Sequence, residues 1–320
     1  MKRLANLPTT KCTGCGACYN ICPTKAIVMV PNSEGFKYPE VDESKCTNCG
    51  LCEKTCPIIN SSFKNTKKPQ CLAVWAEDKI RLKSSSGGVF SLAAEYILDS
   101  GGYVCGAVYD ENFMVHHIVT SKKEDLEKIR GSKYIQSDTK KVFAEIKQLL
   151  KQDKTILFSG CPCQVAGLYA FLGGDHKNLI TMDIVCHGVP SPKVFQKYLN
   201  EKFPGKEIVN IDFRDKEVYG WSTEINIKFS DRTVYRDKHN NDPFYKAFLP
   251  CLSLRSSCAS CPFCAIPRQG DITIGDFWGI NRYKPELNDK KGTSLVLINN
   301  KKGKKIFNQL KQRMPLAEKV

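Results

Sequence analysis

From Cys71 onward the chain alternates between two hydrophobic periods. Short runs rich in β-branched and aromatic residues, at 72–76, 103–109, 155–159, 178–185, 224–229 and 294–298, predict strands. Between them, apolar positions recur at helical spacing over 88–98, 122–130, 140–151, 164–172, 192–203 and 302–313. Strand and helix taking turns predict an α/β domain with a largely parallel or mixed sheet. The run 223–236, turning near Asp231-Arg232, adds a hairpin and some antiparallel character. Ahead of this domain, residues 1–60 form a small module built on an internal repeat, and the Ser/Asn/Lys-rich stretch 61–70 is expected to be a linker. The expected organisation is α+β overall: 1–60, then 61–70, then the α/β domain 71–320. Residues 316–320 show no stop signature, and the chain is expected to be cut there.

Composition narrows the class. A length of 320 residues suggests two domains at about 150 residues each. With 42% hydrophobic and 25% charged residues the chain is globular rather than disordered. No membrane span is expected, because Glu95 interrupts the best apolar run, 89–98, well short of the ~18 residues a span needs. Residues 1–8 are basic without an apolar core, so no secretory signal is expected and the location should be cytoplasmic. The formal charge of +15 invites a nucleic-acid reading, but lysine is scattered, with local runs only at Lys67-Lys68 and 301–305. Metal-bound thiolates would lower that balance further. The expected use of the charge is a basic face for an acidic redox partner or a phosphorylated cofactor, not nucleic acid.

Seventeen cysteines change the picture most. In a reducing compartment, Cys at regular spacing points to metal before disulfide. The run Cys12-x2-Cys15-x2-Cys18-x3-Cys22-Pro23 returns as Cys46-x2-Cys49-x2-Cys52-x3-Cys56-Pro57. Three closely spaced thiolates wrap one 4Fe–4S core, while the Cys before Pro reaches the other cluster. Cluster one is therefore expected on Cys12, Cys15, Cys18 and Cys56, and cluster two on Cys46, Cys49, Cys52 and Cys22. Gly14, Gly16 and Gly50 suit the tight loops between ligands. Zinc would not explain this pattern twice. The module resembles the bacterial two-cluster ferredoxin.

Nine cysteines remain. Cys71 and Cys105 sit inside apolar strands and are expected to be buried hydrophobes. Cys161-Pro162-Cys163-Gln164 and Cys186-His187-Gly188 each follow a predicted parallel strand, at the carboxyl ends where α/β sheets place their sites. Cys258-x2-Cys261-x2-Cys264 adds a chelating loop. A third cluster on Cys163, Cys186, Cys258 and Cys261 is expected, with Cys161 and Cys264 as substitutes. Spacing alone leaves structural zinc open on the same residues. Ser84-Ser85-Ser86-Gly87-Gly88 precedes a helix pattern, where amides and hydroxyls would meet an anion beside Lys83; a plain Ser cap is the alternative. Arg130-Gly131-Ser132-Lys133 is a second basic turn, open between a phosphate contact and a helix end. No G-x-G-x-x-G follows a strand. His116 and His117 point to opposite strand faces and do not serve one site. His187, beside Cys186, would tune a cluster from its outer shell. No catalytic residue is identified.

Five stretches fall in a familiar order: 84–90 (SSSGGVF), 130–134 (RGSKY), 162–168 (PCQVAGL), 183–190 (DIVCHGVP) and 271–279 (DITIGDFWG). With them, the chain resembles the β subunit of the coenzyme F420 hydrogenase/dehydrogenase family, fused behind a ferredoxin module. The resemblance implies an iron–sulfur flavoprotein oxidoreductase in which electrons pass between 4Fe–4S clusters and FAD, to or from deazaflavin or another two-electron acceptor. It implies hydrogenase or dehydrogenase subunits, or another redox protein, as partners. It assigns the domain's cluster to Cys163, Cys186, Cys258 and Cys261, and FAD to Ser84, Ser85, Ser86, Gly87, Gly88 and Lys133. Cys161 departs from the family, where Thr is usual, and Cys264 is unusual too. The family also holds bacterial members found beside polysaccharide-biosynthesis enzymes, so a reductase of that setting, or a non-catalytic electron relay, is the alternative.

Overall fold

The computed structural model describes residues 7–62, 65–218 and 220–320. Residues 1–6, which carry most of the leader reading, and residues 63–64 of the expected linker lie outside the described residues.

The first module holds one antiparallel hairpin, β1 (Ile27–Pro31) with β2 (Lys37–Val41). The larger domain contributes β3 (Gln70–Trp75), β4 (Tyr103–Tyr109), β5 (Val115–Thr120), β6 (Ile156–Gly160) and β7 (Leu179–Ile184). It continues with β8 (Ile208–Asp212), β9 (Glu224–Phe229), β10 (Val234–Lys238), β11 (Ile272–Asp276), β12 (Ser294–Ile298) and β13 (Leu316–Lys319). Eight of these strands form one mixed sheet in the order β13-β3-β12-β11-β7-β6-β4-β5. Its centre, β4-β6-β7-β11, is parallel, and antiparallel pairs flank it on both sides. The expected hairpin is β9-β10, with Arg232 at φ 68 in its turn, and β8 completes a separate antiparallel sheet.

The alternation of strand side chains divides the core into two layers. Leu157 of β6 packs with the helix Val89–Asp99 on one face, while Ile156 and Phe158 pack with the helices Val142–Lys151 and Pro162–Leu172 on the other. The three-stranded sheet closes over its own aromatic core of Phe195, Phe213, Phe244 and Phe248. Cys105 is fully buried and Cys71 partly so, as small apolar strand residues should be. Within the expected linker, Asn65 Nδ2 donates to the carbonyl oxygens of Arg268, Gln269 and Gly270 at 2.8, 3.1 and 2.8 Å, which ties this stretch to the segment entering β11.

Among the described residues no helix is long and apolar enough to cross a membrane.

Candidate metal centres and adjoining cavity

In the first module the two cysteine runs exchange their fourth members. Cys12, Cys15, Cys18 and Cys56 line one hollow with Met29, Pro39 and Ile58. Cys22, Cys46, Cys49 and Cys52 line another with Ala26, Ile27 and Val41. Gly14, Gly16 and Gly50 take positive φ of 67, 79 and 71°, so each loop turns tightly enough to keep its thiols on one hollow. Burial pushes the Cys15 thiol up to about 12 and Cys18 well above its ordinary value. At Cys22 burial acts upward too, but hydrogen bonds from Thr24 and the Ala26 amide outweigh it and lower the thiol. Among the described residues, no three His, Cys, Asp or Glu side chains gather at single-ion spacing. The thiols surround their hollows instead.

This module is seated on the larger domain through the backbone of its first loop. Thr139 Oγ1 donates to Cys15 O at 3.1 Å, Gln136 Nε2 to Thr13 O at 3.2 Å, and Arg255 Nε to Cys12 O at 2.7 Å. Contact is close enough that a Cβ on Gly16 would stand 2.3 Å from Thr139 Oγ1, and one on Gly167 would stand 2.9 Å from Cys15 Sγ.

The second cysteine set collects where the strand-end argument places it. β6 and β7 are parallel neighbours, and their carboxyl ends deliver Cys161 and Cys163, and Cys186. Cys161 and Cys186 lie 3.9 Å apart, Sγ to Sγ. The shared hydrogen bond raises the Cys161 thiol and lowers that of Cys186. The loop carrying Cys258 and Cys261 folds over this edge, and Cys163 is within electrostatic reach of Cys186, Cys15, Cys261 and Cys258. Cys264 is exposed and donates to Cys261 O at 3.1 Å. Beneath the set, Arg268 pairs with the fully buried Asp183 at 3.4 Å.

A cavity opens on the other side of Cys161. Its walls include Ser84, Ser85, Ser86 and Gly88, then Arg130 to Ile135, and finally Gly160, Cys161, Gly275 and Asp276. The serine loop and Lys133 are thus brought together, but not in the manner the sequence suggests. The serine hydroxyls are used within the protein: Ser84 Oγ with Ser91 Oγ at 2.8 Å, Ser86 Oγ to Thr293 O at 3.1 Å, and Ser85 Oγ accepting from Ser132 N at 2.7 Å. The Gly87 amide donates to Ser294 Oγ, and its Cα lies so near Val74 O that a Cβ would be 2.3 Å from it. What faces the cavity is the start of the helix Val89–Asp99, whose first amides have no intrahelical acceptor. Lys133 Nζ donates to Ile129 O and Arg130 O at 3.2 and 3.0 Å, and burial lowers it to about 7. Arg130 is held by Glu127 and Glu95, and Lys83 is exposed beside Glu127.

Sequence reasoning gave no cavity role to His117 or Gln164, and left Asp276 open between packing and a place near a flavin. His117, between Ser137 Oγ at 2.7 Å and Ser159 O at 3.1 Å, is lowered to about 4 by burial. Gln164 accepts from the Cys161 amide at 2.9 Å and so sets the turn that presents this thiol. Asp276 pairs with the buried Arg214 beside the packed rings of Trp221 and Trp278. Helical and strand periodicity carry no sign of which polar residues meet across a sheet edge. His187 Nε2 lies 3.1 Å from Leu249 O and 3.4 Å from Cys251 Sγ.

Three family models match the chain. One describes the C terminus of the beta subunit of coenzyme F420 hydrogenase/dehydrogenase and matches 153–319; its N-terminal counterpart matches 71–144. The third, "4Fe-4S dicluster domain", matches 11–58. The chain is 24% identical over 222 residues to a protein of the F(420)H(2) dehydrogenase of Methanosarcina mazei, covering 63% of this chain and 61% of that protein. The match therefore spans less than two thirds of that relative. In fold it is similar to a chain of the F420-reducing NiFe hydrogenase complex from Methanosarcina barkeri, with TM-score 0.54 and 17% identity over 78% of this chain and 81% of that one. The paired hollows, the strand-end cysteines and the two matched halves of the larger domain place this chain in the coenzyme F420 hydrogenase/dehydrogenase beta-subunit family, carrying a 4Fe-4S dicluster domain ahead of it.

Proposed function

We propose that the chain is an iron–sulfur flavoprotein oxidoreductase subunit that moves electrons between three 4Fe–4S clusters and FAD, exchanging them with a deazaflavin or a similar two-electron acceptor. One observation carries this reading: Cys161 stands at once 3.9 Å from Cys186 and in the wall of the cavity, so the third thiol set and the cavity share a boundary. The donor sets fit the groups. Four thiols around each of two hollows match a cube-shaped cluster, and Cys163, Cys186, Cys258 and Cys261 would hold a third. The helix start at Val89 would receive an anionic flavin pyrophosphate, with Gly88 and Lys133 on the same wall. Bound there, a flavin converts single electrons into a two-electron transfer. The chain's own part is placement: Thr139 and Gln136 seat the first loop, and Gln164 aims Cys161.

The internal use of all three serine hydroxyls favours a second reading, an electron relay without flavin. Metal and flavin content of anaerobically purified protein decides between them. About twelve irons with one FAD supports the flavoenzyme; about eight irons without flavin supports the relay. Stoichiometric zinc at the second cysteine set would overturn the third cluster.

A further inference from the structure

Among the described residues five arginines are buried: Arg81, Arg130, Arg214, Arg255 and Arg268. Four of them meet a carboxylate: Arg81 that of Asp289, Arg130 those of Glu95 and Glu127, Arg214 that of Asp276 and Arg268 that of Asp183. Arg255, at 1% exposure, meets none among the described residues. Its guanidinium donates only to neutral oxygens: Cys12 O at 2.7 Å, Gln136 Oε1 at 2.9 Å and Lys37 O at 3.1 Å. The Tyr38 ring covers it at 4.0 Å. A buried cation without an anion is strongly disfavoured, so something negative should lie close to it.

The position of Arg255 says what that is. The guanidinium carbon would be 3.1 Å from a Cβ on Gly14, inside the loop between Cys12 and Cys15. Its own carbonyl accepts the Cys258 amide at 2.8 Å, so the residue that reaches into the first loop is anchored beside the loop of the third thiol set. The charge thus stands between the hollow of Cys12, Cys15, Cys18 and Cys56 and the third thiol set.

We infer that Arg255 is the counter-charge of these two neighbouring cluster sites and raises their reduction potentials above that of the Cys22, Cys46, Cys49 and Cys52 site. The inference rests on the proposed cluster reading. Each cluster takes up one electron and becomes more negative by one charge, so an adjacent fixed cation stabilises the reduced form. Electrons arriving at the outer site would then run downhill toward the cavity.

The test is a dithionite redox titration of the anaerobic full-length protein, followed by electron paramagnetic resonance. In Arg255→Gln two signals should move to lower potential, each by about tenfold in the reduced-to-oxidised ratio (about 59 mV for one electron), while the third stays. Arg255→Lys should restore most of the shift, which a merely structural role would not do. Gln136→Glu keeps the arginine and pairs it, at the loss of the Nε2 donation to Thr13 O, so with full iron content it should lower the same two signals even if Arg255→Gln fails to load iron. Full iron with unmoved potentials in both Arg255→Gln and Gln136→Glu overturns the counter-charge and leaves the cluster reading standing. Wild-type protein without reducible clusters overturns both.

Discussion

The thiols of Cys161 and Cys186 lie 3.9 Å apart across the ends of two adjacent parallel strands, and Cys161 alone of the pair also faces the cavity. Two positions that are 25 residues apart in sequence become one junction. That junction separates two roles that spacing leaves entangled, a ligand and a wall.

Replacing each thiol tells them apart. Cys186→Ser should cost about four irons per chain, while Cys161→Ser keeps them and changes only the environment of the cavity. Iron analysis with flavin absorbance reads both. Loss of four irons in Cys161→Ser would instead make Cys161 the ligand.

Gly167 shows how tightly the two halves are joined. Alanine there would gain ~1 kcal/mol of helix propensity, yet its Cβ would press on Cys15 Sγ at 2.9 Å and Cys15 Cβ at 3.0 Å. Overpacking of this kind costs about 1–3 kcal/mol, so the clash wins. Gly167→Ala should lower both the thermal midpoint and the iron content; an unchanged midpoint would show that the module shifts freely.

Ser85 links the two loops of the cavity by accepting from Ser132 N at 2.7 Å and Ser132 Oγ at 3.0 Å. In Ser85→Ala the Ser132 amide loses its partner, at a cost of about 1–3 kcal/mol. Flavin should bind roughly tenfold more weakly, as read by titration of deflavinated protein. Unchanged affinity with an otherwise intact protein would place the flavin elsewhere.

His117 makes stability depend on pH. Burial lowers it from 6.5 to about 4, so below pH 6.5 the unfolded chain takes up a proton that the folded protein does not. Its contribution is complete above about pH 6.5 and is lost as pH falls toward 4, by at most about 1.4 kcal/mol per pH unit. Denaturation midpoints at about pH 7 and about pH 5.5 should differ more in wild type than in His117→Gln. Equal differences would remove His117 as the cause.

Much of this molecule is legible before folding. The strands at 103–109, 224–229 and 294–298 emerge with the bounds that the sequence predicts, because short runs rich in β-branched and aromatic residues fit a buried pleated sheet. β1, β2, β5, β8, β11 and β13 are absent from the predicted strand runs. β8 exposes two of its five residues, and β11 has a glycine and an aspartate at its end, so neither reads as an apolar run. β13 is a four-residue edge strand with no buried position, held by its backbone pairing to β3.

The thiol chemistry follows from the order of residues alone. Short-range spacing keeps the three close thiols of each run on one hollow, since a few residues of tight loop cannot carry them far apart, while the fourth comes from the other run. How those centres are ordered in space is a matter of tertiary packing. The docking of Cys15 against Gly167, the unpaired charge of Arg255 between two thiol sets, and the place of Cys161 on the cavity wall all join residues far apart in the chain or across a sheet edge. Such contacts depend on strand order and helix packing, which minimise exposed apolar surface and unmet hydrogen bonds over the whole chain at once, and no local pattern encodes that balance.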